Sequence, residues 1–248
     1  MNHFKSLYSK NPVKNINIDS LFKNTNIPKL SNEEKHSLEE NLTNKEMLYS
    51  LKRMNNNSAP GSSGFTTSYY KVFWRDIGDF LVRSLNCASG ELSASFKQGI
   101  ITCIPKGDKH KMYLKNWKHI SRLNVAYKIA SASIAGRLKQ VLDSIISEDQ
   151  SRILPGRFMG DNIRLVYYIM FYTERNNLPV MLLLLDFATA FDSISWDFMF
   201  KALKYLDFGD QLISWIKLFY TNIESCVIIN GHLSDWFHIH RGCRQGDP

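Results

Sequence analysis

Residues 180–185 read Val-Met-Leu-Leu-Leu-Leu and run straight into Asp186. A short, unbroken apolar run of this kind is the pattern of a strand buried on both faces. Pro179 precedes it, at a place where a strand can begin without a donated N–H. The expectation is a buried strand with Asp186 at its carboxyl end, a usual place for ligand chemistry in sheet folds. A carboxylate there is costly unless it is solvated, paired or bound to a cation. The plainer alternative is an Asp that caps a turn or the next helix, and the run alone favours that alternative.

The chain has 248 residues, enough for one large domain or two small ones with a sizeable core. Its net charge is +8, which suits an anionic partner such as nucleic acid or a membrane surface. The charge is concentrated between residues 97 and 140, where Lys97, Lys106, Lys109, Lys111, Lys115, Lys118, Arg122, Lys128, Arg137 and Lys139 stand against Asp108 alone. Ten bases against one acid give +9, which leaves −1 for the remainder of the chain. Tyr113, Trp117 and Tyr127 are interleaved with them, as in a track for a phosphate backbone. A solvated face of helix and loop is the alternative.

Cys87, Cys103, Cys226 and Cys243 are far apart, with no CxxC spacing, so they read as free thiols of a reducing, intracellular compartment. No apolar run approaches the roughly 20 residues of a membrane span, and the amino terminus has no apolar signal core. His238 and His240 alternate on an expected strand and read as surface or packing residues.

Along the chain, residues 1–30 are polar and rich in Asn and Lys, and read as a loosely ordered lead-in. Ser31-Asn-Glu-Glu34 and Thr43-Asn-Lys-Glu46 both fit the capping box, and the second opens a helix to about Met54. Residues 55–64 break it with Asn, Ser, Pro and Gly, either as a plain linker or as a backbone-rich loop able to approach phosphate or sugar. Helical periodicity returns over 66–87. A strand is expected over 99–105, and a long helix over 124–146 with Ile129, Ile134, Leu138, Leu142 and Ile145 inward and Arg137 on another face. Asp161 is a suitable N-cap for a helix to about Asn176. Ser193 or Ser195 caps the next helix, Asp210 another, and 225–240 reads as a hairpin turning at Gly231. Strands set among helices, without an internal repeat, give an α+β architecture.

Several stretches together carry a resemblance. Leu185-Asp186-Phe187-Ala188-Thr189-Ala190-Phe191-Asp192-Ser193 resembles the first catalytic motif of reverse transcriptases, and Arg241-Gly-Cys-Arg-Gln245-Gly246-Asp-Pro resembles the second. Ala59-Pro-Gly-Ser-Ser-Gly-Phe65 and Ile104-Pro-Lys106, with Asn116-Trp-Lys118-His-Ile-Ser121 further on, resemble the upstream fingers motifs. Gln150-Ser-Arg-Ile-Leu-Pro-Gly-Arg157, followed by Asp161-Asn162, resembles the segment between fingers and palm. Their order matches the LINE-type, non-LTR retrotransposon branch from about Thr43 onward, with a group II intron-type enzyme as the minor alternative.

The resemblance implies a right-hand polymerase with fingers and an incomplete palm: a lead-in over 1–42, fingers and their link over 43–178, and partial palm over 179–248. It implies RNA-directed DNA synthesis from RNA template, DNA primer and dNTPs by two Mg²⁺ ions, without a membrane. Asp186 and the Phe187 carbonyl would be metal ligands, hard oxygens suited to Mg²⁺. Lys106, Lys118, Phe191, Gln245 and Gly246 would hold the nucleotide, with Phe191 excluding a ribose 2′-hydroxyl, although its spacing alone suits a core aromatic nearly as well, and Arg157 and Arg241 would contact template.

The sequence departs from the family where Arg-Pro-Ile-Ser becomes Lys118-His119-Ile120-Ser121, losing the bidentate Arg fork. The Pro-x-Asp-Gly loop becomes Gly61-Ser62-Ser63-Gly64, without the Asp. The family's aromatic-Ala-Asp-Asp hairpin would follow Pro248, so the expectation for these 248 residues alone is no polymerisation. The competing reading is a non-catalytic, basic nucleic-acid-binding fragment; a remnant with no partner is the third.

Overall fold

A computed structural model of the protein describes residues 2–9, 18–23, 25, 27–88, 91–107, 110–151, 154, 156–187 and 190–248. Lys109 of the basic tract, Ala188 and Thr189 of the first motif, and 10–17 of the lead-in lie outside them.

Ten α-helices and five strands are formed among the described residues: α1 (Asn2–Leu7), α2 (Ile18–Lys23), α3 (Asn32–Glu39), α4 (Asn44–Arg53), α5 (Thr67–Asn86), α6 (Ala94–Lys97), β1 (Gly99–Pro105), β2 (Trp117–Leu123), α7 (Val125–Ile145), α8 (Met159–Arg175), α9 (Trp196–Tyr205), α10 (Asp210–Tyr220), β3 (Glu224–Ile229), β4 (His232–Leu233) and β5 (Phe237–His238). Both capping boxes are present, with Ser31 and Glu34 opening α3 and Thr43 and Glu46 opening α4. The helix over 161–176 instead begins two residues earlier, at Met159, so Asp161 lies in its first turn rather than at the cap. Gly209, not Asp210, is the N-cap of α10, and Ser195 caps α9.

The sheet is mixed. β2 pairs antiparallel with β1, β1 runs parallel to β3, and β3 pairs antiparallel with both β4 and β5. The turn between β3 and β4 is Asn230-Gly231, with φ of 49° and 81°, the pair of positive values that a tight hairpin of this hand requires. β2 was not expected from sequence: its apolar residues are spaced among Lys118, His119 and Arg122, and Gly99↔Leu123 to Pro105↔Trp117 pairing with β1 holds it.

Two hydrophobic cores result among the described residues. The larger joins α3, α4, α5, α7 and α10 through residues such as Leu38, Met47, Trp74, Ile129, Ile134 and Leu212. The smaller seats Phe4 and Tyr8 of the amino-terminal segment against Ile101, Ile223, Val227, Phe237 and Ile239. The lead-in is thus not loosely ordered where it is described: it contributes two helices, and Phe4, Tyr8, Phe22 and Leu30 are buried.

Arg137 is also a correction. It is buried, and its guanidinium forms a fork on Glu46, Nε to Oε1 at 2.7 Å and Nη2 to Oε2 at 2.9 Å. It also donates to the carbonyls of Leu38, Glu40 and Asn41 and lies over the Trp215 ring. One side chain therefore closes the carboxyl end of α3 and ties α4 and α10 to α7. Lys97 is likewise buried, with Nζ on the Thr221 carbonyl. Two of the ten bases in the 97–140 tract are therefore internal fastenings, and the remaining described tract is less basic at its surface than the sequence suggests.

The largest difference lies in the apolar run. Residues 180–187 form no strand, and Leu183, Leu184 and Leu185 are 71%, 81% and 80% exposed. The preceding α8 buries none of its side chains. A strand needs neighbours for its N–H and C=O groups, and among the described residues the ladder contains β1 to β5 only. The run thus stands outside the ladder with its side chains in solvent, and Tyr167, Phe171 and Tyr172 of α8 are exposed as well.

Candidate functional site

The loop over 241–247 is folded against the turn over 190–194 by main-chain bonds. Gly242 N donates to Ile194 O at 2.8 Å, and Cys243 N donates to Phe191 O at 2.8 Å. Trp196 Nε1 donates to Gly242 O at 3.0 Å. The same loop is fixed to β2 and α7 on its other side. Ser121 N donates to Gln245 O at 2.6 Å. Asp247 accepts from Tyr127 Oη at 2.7 Å and from Ser131 Oγ at 2.6 Å. Arg244 is buried, donates to Lys97 O and lies 4.9 Å from the centre of the Tyr127 ring.

Burial first, and then the Asp247 charge, pushes the Tyr127 hydroxyl well above its ordinary value, so it stays a proton donor to that carboxylate. The Tyr220 hydroxyl, 3.4 Å from Cys243 Sγ, is raised for the same leading reason, and burial also raises the Cys243 thiol. The loop therefore rests on neutral, hydrogen-bonded groups.

This arrangement gathers the expected nucleotide residues. A cleft of about 340 Å³ is lined by Lys106, Lys118, His119, Asp192 and Gln245, with His3, Phe4 and Leu7 of the amino-terminal segment on one wall. Gln245 also lines an adjoining cleft with Phe191 and Gly246. Lys106 lies just past the end of β1 and Lys118 on β2, and the pairing Ile104↔Lys118 brings them to one end of the sheet. Gly246 has φ of +112°, and a Cβ there would lie 2.6 Å from Ser121 O, so only glycine fits this close approach of loop and strand. Phe191 is 54% exposed, which makes it available at the cleft rather than part of the core.

Other expected residues stand elsewhere. Asp186 and Phe187 are exposed and line neither cleft. No group of three or more His, Cys, Asp or Glu that could hold a metal gathers among the described residues. Asp186 has the hard-oxygen chemistry a Mg²⁺ ion takes, but one carboxylate supplies only part of the six ligands such an ion needs. Arg157 donates to the carbonyls of Ile146, Ser147 and Gln150 and pairs with Asp143, closing the end of α7. Arg241 Nε donates to Leu7 O at 2.7 Å. The glycine-bearing loop over 55–64 is fastened too: Ser63 N donates to Asn124 Oδ1 at 2.9 Å, and Gly61 lies so close to Asn124 that a Cβ would stand 2.4 Å from its N.

Residues 104–248 match the family described as reverse transcriptase (RNA-dependent DNA polymerase). The chain belongs to the reverse transcriptase family. It is also similar to a Xenopus laevis protein named Transposon TX1 uncharacterized 149 kDa protein, with 32% identity over 247 residues, 99% of this chain. The chain spans 19% of the length of that relative. A transposon protein is the kind of relative expected of a LINE-type, non-LTR reverse transcriptase domain, and both matches agree with the motif-based resemblance.

In this reverse transcriptase domain, sequence reasoning missed the groups that hold the site together. Asp192 lies in the first motif with no role implied for it, and His119 stands where the family pattern has Pro. Both are in the cleft and touch each other, with His119 Nε2 3.0 Å from Asp192 Oδ1. A carboxylate next to an expected cleft residue was the available signal. Nothing in one dimension places Tyr8, 184 residues away, on the same carboxylate.

Proposed function

We propose that this chain carries the nucleotide-holding part of an RNA-directed DNA polymerase, positioning a dNTP against an RNA template for addition to a DNA primer. The observation that carries the reading is the convergence of Lys106, Lys118 and Gln245, from three separate segments, on one cleft, with Phe191 and Gly246 on the other side of Gln245. Two lysine ammonium groups suit a triphosphate as point charges. The Phe191 ring would exclude a ribose 2′-hydroxyl by steric clash. Gly246, whose missing side chain lets the loop close on the Ser121 carbonyl, would line the site through its backbone.

In this reading residues 43–178 are fingers with their link to the palm, and 179–248 are palm, of a right-hand polymerase. Asp186 and the Phe187 carbonyl would contribute ligands to Mg²⁺, which supplies activation of the primer hydroxyl and charge neutralisation on the triphosphate. Arg241, held on the Leu7 carbonyl, would support the segment beside the cleft, and Arg157, held on the carbonyls after α7, would brace that helix end, rather than grip template directly.

The test is primer extension on an RNA template by the full-length protein. Extension with Mg²⁺ that Asp186→Ala abolishes, with RNA binding nearly intact, is the expected result. Retained extension removes Asp186 from the metal site. Salt-dependent RNA binding without extension would favour the non-catalytic reading, which the exposed Lys106, Lys111, Lys118 and Lys139 also suit.

A further inference from the structure

Asp192 is 5% exposed, and the roles above make no use of it. Its Oδ1 accepts from Tyr8 Oη at 3.1 Å and lies 3.0 Å from His119 Nε2. It follows Phe191 directly in sequence, and His119 follows Lys118. One buried carboxylate is therefore bonded to a neighbour of the triphosphate lysine while its own neighbour is the sugar gate.

The third partner comes from the amino terminus. Tyr8 is fully buried, and the rings of Phe4 and Tyr8 meet the His119 imidazole edge-on, with centroids at 5.7 and 6.3 Å. The segment is fastened from behind. His240 N donates to Tyr8 O at 3.0 Å, and Arg241 Nε donates to Leu7 O at 2.7 Å. Arg241 opens the same 241–247 loop that carries Gln245. Burial first, then the Asp192 charge, raises the Tyr8 hydroxyl above its ordinary value, so it remains a donor. His3, Phe4 and Leu7 line the cleft in their own right.

We infer that Asp192 is a positioning residue for nucleotide selection, which clamps the Phe191 gate and the Lys118–His119 strand against the amino-terminal segment through Tyr8 and His119. The inference rests on the reading of the cleft as a dNTP site. Removing one bond changes the distance between the gate and the triphosphate lysine, so sugar discrimination should respond rather than stability alone. A buried carboxylate that loses a donor is also left undersatisfied, which gives the clamp a restoring force.

The experiment measures binding of dGTP and GTP with Mg²⁺ to the full-length protein, by calorimetry, for the natural protein and for Tyr8→Phe, Asp192→Asn and Asp192→Ala. Tyr8→Phe keeps the packing and deletes one donor. The GTP-to-dGTP ratio of Kd should fall by roughly fivefold. Asp192→Asn still presents an acceptor oxygen and should keep most of the discrimination, whereas Asp192→Ala should lose it. If the natural protein binds neither nucleotide, the reading of the cleft falls and takes the inference with it. If it binds dGTP selectively and Tyr8→Phe and Asp192→Ala keep the same ratio, the cleft reading stands and the clamp is overturned, whatever happens to the melting temperature.

Discussion

Gly242 lies directly against the carbonyl of Asp192: a Cβ built on it would stand 2.3 Å from that oxygen. Its φ is +78°, a conformation that other L-residues adopt only with strain. Gly242→Ala therefore meets both a backbone clash and an unfavourable dihedral, and the two bonds that join 241–247 to 190–194 must stretch. A loss of roughly 1–3 kcal/mol in chemical denaturation is expected, together with weaker dNTP binding. A variant of native stability would mean that the two segments separate at little cost.

Phe191 is half exposed and shares a cleft with Gln245 and Gly246. Trimming it to Val or Ala opens space where a 2′-hydroxyl would sit, and little core packing is lost. Relative use of ribonucleotides in extension should rise by roughly 10–200-fold, the range for steric pocket changes of this size. Unchanged sugar selection would return Phe191 to a packing role.

What was legible in the sequence follows from how local each signal is. The capping boxes at Ser31 and Thr43 and the Asn230-Gly231 turn are satisfied within a few residues, and each formed where the pattern put it. The grouping of Lys106, Lys118, Phe191, Gln245 and Gly246 was legible because each sits in a recognisable motif. The contrary case is the run over 180–185: its pattern specifies burial but not the neighbour that provides it, and among the described residues no neighbour does so. Arg137 and Lys97 show a third limit. Charge alone reads as surface, while their carbonyl partners Glu40, Asn41 and Thr221 are distant in sequence. Tyr8 is the extreme, since its acceptor belongs to a turn 184 residues away.

The Arg137–Glu46 fork has a pH signature. Burial alone would raise the Glu46 carboxyl, but the bonds from Arg137 and Thr43 outweigh it and hold it below its ordinary 4.5. A group depressed in the folded state adds stability above its unfolded value and loses it as pH falls through the folded one. The contribution should therefore be complete above about pH 4.5 and fade below it. Urea midpoints at pH 7 and pH 3.5 test this: Glu46→Gln should lower the first more than the second. Arg137→Lys should be costly at both, by roughly 3–5 kcal/mol if the fork and its carbonyl bonds fail together, because an ammonium cannot span them.

The exposed run makes the opposite kind of prediction. In a strand buried on both faces, Leu183→Asp would place an unpaired charge in the core and cost several kcal/mol. In the fold described here Leu183 is 71% exposed and α8 buries none of its side chains, so nothing in the two cores depends on it. In the 248-residue chain, Leu183→Asp should leave the unfolding free energy within about 0.5 kcal/mol of the natural sequence. It should also reduce self-association in sedimentation, because it puts a charge among the exposed apolar side chains of residues 182–185. A large loss of stability would show that the run is covered in solution, and that the strand expected from its pattern does form.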